Sequence, residues 1–190
     1  MIAGILLAAG GARRFGSQKL VAHLGGTPVV RHAADALRAG VDELVVVLGS
    51  DAPLVREALA GLDARFVQNE EWAAGLSASL RSGIGALRNE ADAAVIALGD
   101  QPGMDPALVR SVIAMWRSSG QPIVVARYRG NRGHPALLDR EVFEEAMAIS
   151  GDVGARALMD RTPERIAYVD VDQAAPRDVD TRPDLEALEQ

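Results

Sequence analysis

The stretch IAGILLAAGGARRFGSQKL, residues 2–20, joins a seven-residue apolar run to a cluster of glycines, arginines and one lysine. An apolar run without alternation that ends at glycine suits a strand buried on both faces, the kind found in parallel sheets. Gly10 and Gly11 allow the backbone after it to turn its N–H groups inward. Arg13, Arg14 and Lys19 add positive charge to the same loop, which then has the makings of a polyphosphate cradle. Neither G-x-x-x-x-G-K-[ST] nor G-x-G-x-x-G is present, so the common mononucleotide and dinucleotide fingerprints are excluded. Of the 20 lysines and arginines in the chain, Lys19 is the only lysine.

Outward from this stretch, strands and helices alternate. DELVVVLGS (42–50), ARFVQ (64–68) and DAAVIALGD (92–100) read as further strands, and RIAYVDV (165–171) as a last one. Between them, helices are expected from Thr27 as N-cap to Gly40, over 53–62, from about Ser77, and after Asp105-Pro106. PIVVARY and GHPALLD read as two strands joined by a turn over 129–133, and EVFEEAMAI, GARALMD and PDLEALE as short helices. This order predicts an α/β fold: a single-domain, Rossmann-like open sheet, mostly parallel, with helices on both faces and an antiparallel addition. No linker or repeat divides the chain, so one domain is expected over 1–190.

Composition narrows the class. The 190 residues carry a net charge of −6, which argues against broad electrostatic binding to nucleic acid. There is no cysteine, so disulfides, thiolate metal sites and cysteine nucleophiles are excluded. No apolar run reaches membrane-spanning length and no basic region precedes Ile2, so a cytoplasmic protein without membrane contact is expected. Aromatic residues make up only 4%, so the core must be aliphatic.

In an open α/β sheet, ligands bind outside the carboxyl ends of the strands. Asp100, just after VIAL, falls there and suits a magnesium ligand, since Mg²⁺ takes one or two carboxylates plus substrate phosphates. Asp178 and Asp180 alternate along an extended segment, so one of them can turn back to the same crevice as a second ligand. His134, in Gly133-His134-Pro135, sits at the mouth of the late hairpin, where substrate contact and a purely structural turn are both open. His23 and His32 have no partner spacing. No Ser–His–Asp order or metal-histidine spacing appears.

Six segments in order, LLAAGGARRFGSQKL, NEEWAAGLSASLRSG, GDQP, GNRGHP, GDVGAR and DVDTRPDL, resemble the nucleotidyltransferases of molybdenum cofactor maturation. Within that MobA-like NTP transferase superfamily the likeness is to the molybdopterin cytidylyltransferase-like branch. The fold implied is nucleotide-diphospho-sugar transferase-like. The W-x-x-G-x-x-x-S-L and G-x-x-G-H-P segments narrow the resemblance beyond the leading motif.

The resemblance implies that Leu7, Ala8, Ala9, Gly10 and Gly11 hold the nucleotide, and that Arg14 and Lys19 contact its triphosphate. It implies that Asp100 and Asp180 bind Mg²⁺, and that Asn69, Gly75, Ser77 and Ser79 lie near base and ribose. His134 and Arg156 are implied to face the pterin. Ala12 and Phe15 depart from the serine and methionine common in the family; neither change removes a charged group.

The guanylyl branch reads A-G-G rather than Ala8-Ala9-Gly10, with one more residue before the lysine, which favours CTP over GTP. The acceptor implied is molybdopterin, with a target molybdoenzyme as a further partner. Its terminal phosphate is already anionic, so no general base is required, which fits the missing histidine or serine constellation. Three other readings compete. A nicotinamide oxidoreductase would need an acid ending the second strand, where Leu48-Gly49-Ser50 stands instead, with Asp51 one step late. The others are a non-catalytic nucleotide binder and the same chemistry on a sugar phosphate.

Overall fold

A computed structural model describes residues 1–11, 15 and 18–189. The apolar run forms β1 (Ile2–Ala8), buried along its whole length. A short hairpin follows, β2 (His23–Leu24) with β3 (Thr27–Pro28), and then α1 (Val29–Arg38). The alternation continues with β4 (Glu43–Leu48), α2 (Ala52–Ala58), β5 (Arg65–Gln68), α3 (Leu76–Gly85), β6 (Ala93–Leu98) and α4 (Pro106–Ser119). The last third holds β7 (Ile123–Tyr128), β8 (Asn131–Asp139), α5 (Phe143–Met147), α6 (Arg156–Arg161), β9 (Ile166–Val171) and α7 (Arg182–Leu188).

Seven strands form one sheet in the order β5-β4-β1-β6-β8-β7-β9. Strands β5, β4, β1 and β6 are parallel, β8 runs antiparallel to both its neighbours, and β9 is parallel to β7. The expected α/β class, mostly parallel sheet and antiparallel addition are therefore present. Order reverses between β1 and β6, because β1 leads to β4 on one side and pairs with β6 on the other. That is the switch point at which such sheets leave a crevice.

Period-two alternation divides the strands between two cores. Ile2, Leu6 and Ala8 of β1 and Val95 and Ala97 of β6 face a layer with α1, α2 and α4, including Leu37, Leu59, Val109 and Val112. Ile5 and Leu7 of β1 and Ala94 and Ile96 of β6 face the other layer, with Leu80 of α3, Phe143 of α5 and Leu158 of α6. Both faces are covered, which is why these strands read as continuous apolar runs. Among the described residues no helix is long and apolar enough to cross a membrane.

Two local expectations change. Thr27 is not an N-cap: it pairs with Leu24 in the β2–β3 hairpin, and α1 starts after Pro28 without a side-chain cap. The β7–β8 turn is shorter than expected, with Arg129 and Gly130 at φ 45° and 89° and Asn131 already in the strand. Two consecutive positive φ values make a tight hairpin turn whose twist matches that of the strands. By contrast, α4 begins as read: the Asp105 carboxylate accepts from Ala107 N at 2.7 Å, Pro106 follows, and Gly120 ends the helix in the left-handed region.

Gly83 brings α3 close to the sheet, since a Cβ there would stand 2.5 Å from Ile5 Cγ2. Ile5 is fully buried and β-branched, so it cannot swing aside. Gly85 on the same helix faces open space. In urea unfolding, Gly83→Val is expected to cost about 1–3 kcal/mol by overpacking. Gly85→Ala is expected to add about 0.4–1 kcal/mol by restricting the unfolded chain.

Candidate active site

The β1–β6 switch point opens into a cavity of about 330 Å³. Leu7, Ala9, Gly10 and Gly11 line it from β1 and its exit, and Lys19 and Leu20 from the next turn. Leu98 and Asp100 approach from β6. Trp72, Ala73, Gly75, Leu76 and Ser79 come from the start of α3 and the turn before it, and Asp152 from the α5–α6 loop.

Lys19 is buried in a 3₁₀ turn whose shape is fixed by Gln18. The Gln18 side chain accepts from Leu20 N at 3.2 Å and donates to Asp51 at 2.8 Å. From this turn Lys19 Nζ donates to Asp100 Oδ2 at 2.6 Å and to Asp180 Oδ1 at 2.7 Å. Burial works against the ammonium, but the Asp100 charge and hydrogen bonds to both carboxylates outweigh it, so the Lys19 pKa is raised.

The C-terminal segment is tied to this point by its own backbone. Val179 N donates to Asp100 O at 2.9 Å, and the fully buried Val179 side chain packs with Phe15 and Val29. Asp180 comes just before Thr181, the N-cap of α7, in a capping box closed by Asp184. Alternation then separates the two candidate acids: Asp180 meets Lys19, while Asp178 accepts from Gln101 at 2.7 Å. Burial, helped by repulsion from Asp100 and Asp180, raises the Asp178 pKa despite the Gln101 bond.

Asp100 and Asp180 converge on one cation, and both are hard oxygen donors. Among the described residues no three His, Cys, Asp or Glu side chains are grouped to hold a metal. Two carboxylates with substrate phosphates as the remaining ligands is the usual set for magnesium, so the residues present fit such an ion.

The other residues singled out from the sequence divide. Leu7, Ala9, Gly10, Gly11, Gly75 and Ser79 line the cavity with Lys19 and Asp100. The Ala8 side chain packs on the opposite face of β1, against the α1 layer. The buried Asn69 side chain donates to Ser79 Oγ at 3.1 Å and accepts from Glu71 N at 3.0 Å, holding the turn that presents Trp72. Ser77 Oγ donates to Gly151 O at 2.5 Å. Arg156 on α6 is 82% exposed and lies 3.9 Å from Asp160, away from the cavity lining. Arg14, with Arg13, lies outside the described residues.

Of room and positive φ, Gly10 needs neither within the chain, since a Cβ there would meet open space, and Gly11 needs room alone. A Cβ on Gly11 would stand 3.1 Å from the Trp72 ring. Gly75 does need both properties. Its φ is +103°, and a Cβ would stand 2.9 Å from Asp152 Cα. That contact lets Asp152 accept from Leu76 N at 2.9 Å and cap α3 from a distant loop.

Trp72 and Asp152 are lining residues that motif reading did not single out. Trp72 had a signal, as one of two tryptophans in a chain poor in aromatics. Asp152 had none beyond its place in GDVGAR.

His134 lies in β8 beside an irregularity in the pairing, where Val125 faces Ala136 but Ala126 faces Gly133. Such a bulge is where an interior strand tolerates a proline such as Pro135. Tyr128 Oη donates to His134 O at 2.7 Å. Burial pushes the His134 pKa down to about 4 against an opposing pull from the Asp100 charge, so the ring is neutral at pH 7.

Residues 4–166 match the MobA-like NTP transferase domain. The chain belongs to that family. It is 32% identical to nicotine blue oxidoreductase of Paenarthrobacter nicotinovorans, over 95% of this chain and 92% of the relative. It is 28% identical to a probable molybdenum cofactor guanylyltransferase of Thermococcus gammatolerans, over 84% of this chain and 83% of the relative. The crystal structure of Rv0371c from Mycobacterium tuberculosis superposes with a TM-score of 0.88 at 35% identity, covering 99% of this chain and 97% of the other. Rv0371c has also been solved in complex with manganese. The chain is thus a nucleotidyltransferase of the MobA-like family with the nucleotide-diphospho-sugar transferase-like fold expected from its motifs.

His134 carries a pH dependence. Its folded pKa of about 4 lies below the ordinary 6.5, so the unfolded chain binds the extra proton first. Stability from this group is full above about pH 6.5 and falls as pH drops toward 4, by up to about 3 kcal/mol. Denaturant titrations of His134→Gln are expected to show a shallower loss than wild type over that window.

Proposed function

We propose that the chain transfers CMP from CTP to the terminal phosphate of molybdopterin and releases pyrophosphate. The observation that carries this reading is the buried Lys19 ammonium at the switch point, flanked by Asp100 and Asp180 and by the glycine exit of β1. An acceptor phosphate oxygen attacks the α-phosphorus. A P–O bond forms there as the bond from that phosphorus to the bridging oxygen breaks, and the electron pair leaves with pyrophosphate. The acceptor is already an anion at neutral pH, so no proton has to be removed, and the site needs placement and positive charge instead.

Asp100 and Asp180 would hold Mg²⁺, which supplies charge neutralisation on the phosphate oxygens when bound. Lys19 and Arg14 bind the triphosphate and stabilise the departing pyrophosphate. Gly10, Gly11 and Ala9 let the nucleotide backbone approach closely, and Gly75 and Ser79 border its sugar and base. Asn69 and Ser77 support that wall from behind. We assign contacts with the acceptor to the neutral His134 ring, near Asp100, and to the exposed Arg156 guanidinium, which stands outside the cavity lining. A target molybdoenzyme would receive the product, in the cytoplasm.

CTP is favoured by Leu7-Ala8-Ala9-Gly10 and by the spacing to Lys19. A second reading, GTP on the same acceptor, is favoured by the guanylyltransferase names among relatives 28–33% identical to this chain. A nicotinamide oxidoreductase is disfavoured because Asp51, the acid nearest the end of β4, is engaged by Gln18 and Ser50.

Pyrophosphate release with Mg²⁺, molybdopterin and each nucleotide tests the reading. Release with CTP is expected; release with GTP alone would reassign the nucleotide, and none with either would overturn molybdopterin as the acceptor. Asp100→Ala is expected to abolish turnover with an unchanged far-UV CD spectrum. Lys19→Arg is expected to cut turnover on the order of 100-fold, because a wide, forked guanidinium replaces a compact point charge.

A further inference from the structure

The ammonium that the proposed reaction needs on the triphosphate is, in this structure, bound to the two carboxylates that it needs on a divalent cation. Lys19 Nζ spends two of its three N–H bonds on Asp100 Oδ2 and Asp180 Oδ1. Asp178 is turned to Gln101 instead, so two carboxylates share the one described ammonium. Without that ammonium, the carboxylates would repel one another. With it, they converge, and an incoming cation meets a lower net negative charge and oxygens already engaged.

We infer that Lys19 is a removable counter-ion, which occupies oxygens of Asp100 and Asp180 before substrate arrives and competes with divalent cations for them until phosphate oxygens take the ammonium over. The inference rests on the nucleotidyltransferase reading of this site. The local build suits such a device. The Lys19 backbone is pinned by the Gln18 cap and the buried Leu20, so only its side chain has to move. Asp100 and Asp180 are held independently of it, through the Val179 N to Asp100 O bond and the Thr181–Asp184 capping box. The carboxylates therefore stay near each other when the ammonium leaves. A cation brought in with a triphosphate meets a vacated pair, whereas a cation arriving alone meets a pair whose oxygens the ammonium already engages.

The test is Mn²⁺ binding to the full chain, followed by electron paramagnetic resonance of the free ion, with and without CTP. Without nucleotide, Lys19→Met is expected to bind Mn²⁺ at least tenfold more tightly than wild type. Lys19→Arg, which keeps the charge, should bind as weakly as wild type. Adding Asp100→Asn to Lys19→Met should return binding to the wild-type level or below. With Mn²⁺–CTP the order should reverse, wild type binding more tightly than Lys19→Met. Lys19→Gln, which keeps two amide N–H donors for the carboxylates but no charge, serves the same comparisons where Lys19→Met fails to fold.

Equal or weaker nucleotide-free Mn²⁺ binding by the uncharged variants would overturn the inference. So would tight binding that survives Asp100→Asn, or Lys19→Met still ahead with Mn²⁺–CTP. Failure of the transferase reading is seen separately: the expected Mn²⁺ pattern without pyrophosphate release would retain the counter-ion and remove the reaction assigned to it.

Discussion

One buried ammonium joins three distant parts of this chain. Lys19 follows the first strand, Asp100 follows β6, and Asp180 precedes the last helix, yet two ion pairs of 2.6 and 2.7 Å bring them to one point. At an effective dielectric near 20, unit charges at such distances attract by about 6 kcal/mol, and desolvation of the ions and solvent screening at the half-exposed Asp180 offset much of it. Its main consequence is therefore positional. Asp100, largely covered, lines the cavity beside Lys19, while Asp180 is half exposed to solvent. The neighbouring ties, Val179 N to Asp100 O and Val179 packed on Phe15 and Val29, hold the C-terminal segment where the acids can meet the lysine.

The sheet supplies the platform. Reversal of strand order at β1 and β6 leaves their carboxyl ends without a strand exit crossing over them, and close packing beneath keeps those ends in place. Gly83 lets α3 press onto Ile5 and so sets how near the Trp72–Ser79 wall stands to the glycine exit of β1. Above it, Gly75 admits Asp152 into van der Waals contact, and that carboxylate caps α3. A carboxylate at a helix N-terminus is favoured by the unpaired N–H groups there. The same contact fixes one cavity wall to a loop more than seventy residues away in the chain.

Polar satisfaction separates residues that look equivalent in a motif. Asn69, Ser77 and Ser79 share one segment, but Asn69 and Ser77 spend their side chains on Ser79, Glu71 and Gly151. Buried polar groups left without partners are costly, so these bonds determine which side chains remain available to a ligand. Among the described residues no buried side-chain nitrogen or oxygen lacks a partner. Family membership makes the chain a nucleotidyltransferase, and the engaged Asp51 fits that chemistry better than a dinucleotide site.

The amino-acid sequence by itself determined the strands, the helices and the class of the sheet, because these follow from local rules. Continuous apolar runs marked β1, β4 and β6, Asp105-Pro106 marked the start of α4, and the motif order through 178–185 marked the family. Thr27 was misread because cap chemistry also suits a hairpin, and pairing with Leu24 decided between them. The pairing of Asp180 rather than Asp178 with Lys19, the lining roles of Trp72 and Asp152, and the turning away of Asn69 and Ser77 were settled only by the tertiary structure. Asp180, Asp152 and Ser77 each depend on a partner far along the chain, and a hydrogen bond or ion pair across such a distance exists only once the sheet has brought both groups to the same place.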